Sequence, residues 1–456
     1  MTQLERKQSE LSTRLASLNE EFAYWKKISE PNGAFEKNHS QIRRIIARLE
    51  AVMGTIPGAL APDLGAQRGT EQRVLMVHAL WDFFRSKLTL RREAFFGDYL
   101  RACDDFAWAC YEPLRNLLPV ESRREPPLVF LNGGWSPYAV PRDQTFKADP
   151  TTGGWTAKMG LQEAVEKLPL PMVGLPWFQV SHLPDTLVIA HEMGHIAEWD
   201  FGLSGVLQRT IYDANLKPVH GEVWNGWRRE VFADLYGVVC GGAAFAGSLA
   251  DFLAGEAVRL KDGASPEGDP HPHPWLRVAV VCEALRQTGE GAKAELLAAE
   301  WQPAAGAVRK DADFDGDVKS IVTSVLAGPY RVGAMEGRLD ELIAPPGGAD
   351  EIAGKIVNQS YISVSNANRN LIRRQLFAAA RLLYERDPAQ YSGKERTKAV
   401  LQQVEKAREQ GVRGSAGTDL KKQAKLDADQ GTVLAASLFD EFSAPSYAGR
   451  TSGMSS

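Results

Sequence analysis

In the stretch LVIAHEMGHIAEWD, Leu187 to Asp200, two of the chain's eight histidines, His191 and His195, stand four residues apart. Residues i and i+4 share one face of an α-helix, so both imidazoles can grip one ion. Glu192 projects from an adjacent part of the same helix, where it can reach a water on that ion without being a ligand. Val188, Ile189 and Ala190 precede the motif, and Met193, Gly194, Ile196 and Ala197 are uncharged. The helix is therefore expected to be buried, and two unpaired histidines in a buried helix are costly.

A zinc site needs a third protein ligand and keeps its fourth position for water. The metzincin pattern places a histidine six residues after His195, but Phe201 stands there. That class is excluded. WRREVFADLYG, Trp227 to Gly237, supplies a carboxylate on a downstream helix. Glu230 is expected to complete the metal site. Asp234 shares its helical face and can accept the outer N–H of a ligating histidine, His191 first, which fixes the tautomer and raises the ring's basicity. Arg228 and Arg229 read as surface or salt-bridge residues. Rival third ligands are Glu198 and Asp200, which would have to bend back along their own helix, and His220 in the loop-like KPVHGE.

HExxH followed by Glu230-Val-Phe-Ala-Asp234 resembles the gluzincin group of zinc metallopeptidases. A further segment, DPHPHPWLRV from Asp269 to Val278, is similar to the HPxxxxR[IV] segment of the peptidase family that includes the bacterial heat-shock protease and the CAAX-prenyl endopeptidase. The resemblance implies a zincin-like catalytic core. It also implies that His271 and Arg277 line the site and help stabilise the transition state. The second His-Pro, His273-Pro274, leaves open which histidine aligns. The site carries over from the resemblance; the substrate does not.

The chemistry also stands on the residues alone. A His2Glu site with one Zn2+ lowers the pKa of a bound water to around 7. Glu192 would take that water's proton as it attacks a peptide carbonyl, then deliver it to the leaving amine. Donors for the developing oxyanion are His271, Arg277, Tyr236 or Tyr212. PMVGLPWFQV, residues 171–180, reads as a strand, an edge strand given Pro176. Through Gly174, Leu175 and Trp177 it is expected to bind a protein or peptide substrate as an added strand. His182 reads as a loop or helix-capping residue. The expected function is a zinc-dependent endopeptidase. The alternative is a peptidase-like metal-binding scaffold, or a hydrolase of non-peptide amides, acting through a partner. An intact Glu192 argues against a degenerate scaffold.

The rest of the chain sets the frame. Of 456 residues, 44% are hydrophobic and 24% charged, an ordinary globular balance. A net charge of −4 argues against nucleic acid as a partner. Cys103, Cys110, Cys240 and Cys282 are scattered and read as reduced, buried thiols of a cytoplasmic protein. MTQLERKQSELSTRL lacks the apolar core of a secretory signal. The longest uncharged run, LYGVVCGGAAFAGSLA, falls short of the ~20 apolar residues of a membrane span and reads as an internal helix.

Leu4, Leu11, Leu18 and Trp25 recur every seven residues, with Gln8, Leu15 and Phe22 at the complementary heptad position. Residues 1–53 are therefore expected to form a helical coiled-coil hairpin, broken at EPNGA (30–34). It would dock on the body of the protein, dimerise, or bind a protein partner. Residues 54–118 open with a Gly- and Pro-rich linker (54–70) and return to helix on the core. Residues 119–300, with strands at 127–131 and 171–180, would be the metallopeptidase core. A helical region (301–410) and a polar, partly disordered tail (411–456) follow. The class is mainly α with a small β-sheet (α+β), a zincin-like core in a helical body. DADFDGDVKS, 311–320, resembles the start of an EF-hand loop, but Val322 replaces the bidentate glutamate, so an acidic surface loop is expected. Residues 366–388 read as an amphipathic, core-facing helix.

Overall fold

The structure, a computed structural model, describes residues 1–56, 62–142, 170–255, 270–301, 312–392 and 394–413. The fold is mainly helical with a three-stranded and a two-stranded sheet among the described residues. The expected tail from 414 onward and Asp311 lie outside them.

The chain begins with two helices, α1 (Gln3–Ile28) and α2 (His39–Gly54). Thr2 and Glu5 form a capping box at the head of α1. The heptad residues Leu11, Leu18, Phe22 and Trp25 are buried in one cluster with Ile42, Ile45, Ile46 and Leu49 of α2. Val74, Val77, Trp81 and Phe84 of α3 (Leu64–Thr89) complete it. Trp81 stands edge-on to Phe22 at 5.3 Å and to Trp25 at 5.4 Å. The apolar seam of α1 is thus occupied by helices of its own chain. The linker expected over 54–70 is shorter than its glycines suggest. Asp63 caps α3, its carboxylate accepting from the Ala66 N–H at 2.8 Å, so the helix runs through Gly65 and Gly69.

Strands β1 (Leu128–Asn132), β2 (Tyr138–Val140) and β3 (Met172–Pro176) form the larger sheet in the order β1-β3-β2. β1 runs parallel to β3 and β2 antiparallel to it. β3 is therefore the central strand, not the edge strand that Pro176 suggested. Pro176 is tolerated because it is the last residue of β3, and the next N–H, that of Trp177, donates to the Asn132 carbonyl at 3.2 Å. Alternate residues along a strand point to opposite faces. Leu128, Phe130 and Met172 join the cluster of the N-terminal helices. Val129, Leu131, Val173 and Leu175 join the larger core. The sheet is the wall between the two.

The larger core is built by α4 (Gly97–Leu117), α5 (Ile189–Asp200), α6 (Pro218–Ala254), α7 (Pro274–Gln287) and α8 (Arg369–Arg386). α6 is its axis, with α5, α7 and α8 packed on it. α6 is long and apolar enough to cross a membrane by length and composition, and 78% of its most apolar window is buried inside the protein. It bends at Gly242, where the Ala243 N–H donates to Glu290 Oε1 at 3.3 Å. Arg373 and Arg374 of α8 are buried, so that helix does face the core. All four cysteines are unpaired and buried.

α5 and α6 meet most closely at Gly194. A Cβ there would lie 2.7 Å from the Ala233 Cα and 3.1 Å from the Tyr236 Cβ. Gly194→Ala gains up to about 1 kcal/mol of helix propensity. The neighbouring backbone cannot yield, and overpacking of this kind costs about 1–3 kcal/mol. The substitution is expected to lower the urea midpoint of the metal-free protein; an unchanged or raised midpoint would contradict the close approach.

Candidate metal centre

α5 follows a 3-10 turn at Asp185–Val188 and ends before Gly202, whose φ of 67° provides the left-handed exit. Its far end is anchored by buried charge. Asp200 accepts from the Tyr111 hydroxyl at 2.7 Å and pairs with Arg142, which also reaches Glu125 at 3.2 Å. Arg44 of α2 binds the same glutamate at 2.8 Å.

On this helix the His191 and His195 rings lie 4.8 Å apart and nearly perpendicular, at 89°. Glu230 approaches from α6. Its Oε2 is 3.3 Å from His191 Nε2, and its Oε1 is 3.3 Å from His195 Nε2. One ligand atom from each of the three residues lies within 4.8 Å of the others. Asp234, one turn further along α6, accepts from His191 Nδ1–H at 2.8 Å. With that proton on Nδ1, the Nε2 lone pair faces the Glu230 carboxylate. Two acceptors then confront each other, and Glu230 Oε2 is buried without a hydrogen-bond partner. A second proton on His191, or a metal cation among the three, resolves the conflict.

Charge leads to the same requirement. Glu192, Glu230, Asp234 and Arg277 are all buried. These carboxylates draw positive charge to the site beyond the one guanidinium: a proton on His191 when no metal is bound, or a divalent cation in its place. Burial opposes the charged form of His191, yet Asp234 and Glu230 outweigh it and lift that imidazole's pKa to about 10. Burial likewise opposes the Glu230 carboxylate, but His191 and His195 hold it far below the usual range. For Asp234, Arg277 overcomes burial and keeps the group ionised. Burial pushes Glu192 above its ordinary value against the influence of both histidines.

The second histidine ambiguity has a structural answer. His271 lines the cavity over the candidate ligands, with Nε2 3.4 Å from Glu230 Oε2. His273 is buried and caps α7, accepting from the Trp275 N–H, while Pro274 takes the first helical position. Arg277 also borders the cavity. Its Nε and Nη2 donate to Asp234 at 2.8 and 2.7 Å, so it holds that carboxylate in place.

Other candidates lie elsewhere. Tyr236 is fully buried and donates to the Cys110 carbonyl at 2.7 Å. The Tyr212 hydroxyl lies 3.2 Å from Glu222 on the surface. His182 pairs with Asp185 at 2.9 Å. The rival ligands are committed too: Glu198 to Arg229 at 2.9 Å, His220 to Asp317 at 2.6 Å, and Asp200 to the anchor of α5.

The expected substrate strand is displaced. Gly174 and Leu175 are buried in the central strand; Gly174 is paired with Phe130 of β1 and Tyr138 of β2, and Leu175 with Leu131 of β1, so β3 is covered on both sides along residues 172–174. A Cβ at Gly174 would meet the Tyr138 ring at 2.8 Å, so the glycine serves the sheet. Trp177 packs edge-on to Phe96 at 4.9 Å. The strand beside the site is β2: Tyr138 and Ala139, with Ser136 and Pro137 before them, line the cavity of about 320 Å³ that holds the histidine pair, Glu192 and Glu230. Sequence reasoning missed it because three residues are too few to show a period. Pro137, at the head of the strand, was the available signal of a sheet edge.

Comparisons of the chain with protein-family models, curated proteins and solved structures return no match.

Asp234→Asn tests the support of His191. An amide whose oxygen stays on His191 and Arg277 Nη2 turns its NH2 donor onto Arg277 Nε–H, so the full set of bonds made by the carboxylate is lost. Affinity for added Zn2+ is expected to fall about 10–100-fold, read by competition with a chromophoric chelator. Unchanged affinity would mean that Asp234 does not orient His191.

Proposed function

We propose that this chain is a zinc-dependent endopeptidase with a zincin-like core. One observation carries the reading: His191, His195 and Glu230 converge on one point, with Glu192 beside them, in a cavity bordered by a sheet edge. Three N/O ligands of this kind, with space left for solvent, match catalytic zinc better than a closed structural site. Zinc held there would supply Lewis acidity and make water a stronger nucleophile near neutral pH. Glu192 takes the proton of the attacking water and passes it to the leaving amine. It is suited to this because it shares the cavity wall with the ligands without belonging to the converging set. His271, in the same lining, donates to the developing oxyanion. Asp234 and Arg277 hold the His191 ring. β2 offers the substrate backbone an edge to pair with, the role expected of Gly174, Leu175 and Trp177. The N-terminal helices form a coiled-coil-like hairpin that supports the sheet from its other face.

Glu192→Gln is expected to retain stoichiometric zinc while peptide hydrolysis falls by roughly 10²–10⁴-fold. Chelation should abolish activity of the unaltered protein, and added Zn2+ should restore it. Hydrolysis that survives Glu192→Gln with zinc bound would overturn the mechanism.

A further inference from the structure

The cavity over the metal ligands does not end at Glu192. Ser136, Val188 and Phe252 line it and also line a second cavity of about 430 Å³. That size falls within the ~300–1,000 Å³ of ordinary ligand pockets. Trp135 and Phe178 form the outer wall, with ring centroids 6.3 Å apart. Both are unusually open to solvent for their size, Trp135 at 86% and Phe178 at 57%. A single exposed ring needs no explanation, but neighbouring aromatics rimming a cavity mark a binding surface. Among the described lining residues, the charged side chains are two carboxylates, Asp185 and Asp251.

We propose that this second cavity is the subsite for a bulky apolar side chain, aromatic by preference, of the polypeptide whose scissile bond lies over the metal, and that it rejects acidic side chains. The inference rests on the peptidase reading. The shared lining residues make one extended ligand a few residues long the natural occupant of both cavities. Trp135 and Phe178 offer flat, solvent-facing rings for an aromatic side chain to pack on. The described lining offers a glutamate or aspartate of the substrate no cation, only two carboxylates, Asp251 paired with Arg381 and Asp185 with His182. Exposed tryptophan can also sit at a lipid headgroup boundary. An anionic membrane surface, however, is drawn to lysine and arginine, not to a rim carrying Asp185 and Asp251.

The test uses the zinc-loaded Glu192→Gln protein and labelled peptides that differ at one position, carrying Phe, Ala or Glu there, with that position placed in turn on either side of the central bond. On one side, the Phe peptide is expected to bind roughly tenfold or more tightly than the Ala peptide, and the Glu peptide most weakly. Trp135→Ala combined with Phe178→Ala changes only exposed side chains and should drive the Phe/Ala ratio toward one. Asp185→Asn with Asp251→Asn should strengthen binding of the Glu peptide. Equal binding of the three peptides, or a Phe preference that survives the double aromatic substitution, overturns the subsite. Co-flotation with phosphatidylserine vesicles that is lost in the aromatic variant, together with equal peptide binding, also overturns it and makes the rim a lipid contact. Hydrolysis by the unaltered enzyme is read separately. Cleavage without a Phe preference removes the subsite and leaves the peptidase. Phe-selective binding without any cleavage leaves the subsite and removes the peptidase.

Discussion

Three helices meet at the carboxylate of Asp234. One oxygen accepts from His191 of α5, and both oxygens accept from Arg277 of α7. The group is 1% exposed, so each hydrogen bond replaces one that water would have made. Removing Arg277 would leave the buried Asp234 carboxylate without its guanidinium, a loss far larger than that of an exposed pair. The His191–Asp234 bond is also what turns the His191 Nε2 toward Glu230. It forms only because α5 lies close against α6, and Gly194 is the residue that permits that distance. Helix packing, imidazole orientation and the ligand set are therefore successive consequences of one contact.

The sheet divides the labour of the rest. One face is filled by α1, α2 and α3, and the other by the helices that carry the candidate centre. β2, its outer strand, lines the cavity of the candidate centre. The N-terminal helices thus act on the site indirectly, by keeping the sheet in place. Arg44 of α2, through Glu125 and Arg142, ties them to the end of α5 as well.

Much of the candidate centre was legible because it lies on two long helices. The spacing of His191, Glu192 and His195, and of Glu230 and Asp234, translates directly into shared faces once helix is assumed. Relations between elements were not legible. His271 and His273 are chemically alike in the sequence, and only the start of α7 separates a cavity residue from a helix cap. The order β1-β3-β2 depends on a crossover that no local pattern records, so Pro176 was read as an edge when it is a strand end. Gly174, Leu175 and Trp177 fell with that reading. Tyr236 shares a helix with Glu230 and Asp234, but its side chain points the other way, to the Cys110 carbonyl. Heptad spacing in α1 identified a buried seam without saying which surface covers it, and α2 and α3 of the same chain do.

Everything proposed for the site depends on His191, His195 and Glu230 holding one ion. X-ray absorption at the zinc edge, joined to an anomalous difference map from a crystal of the zinc-loaded protein, addresses it most directly. The expected result is one ion at about 2.0–2.2 Å from Nε2 of His191, Nε2 of His195 and an oxygen of Glu230, with the remaining coordination supplied by solvent. An ion bound elsewhere, or one that engages the two histidines while Glu230 stands apart, would contradict it.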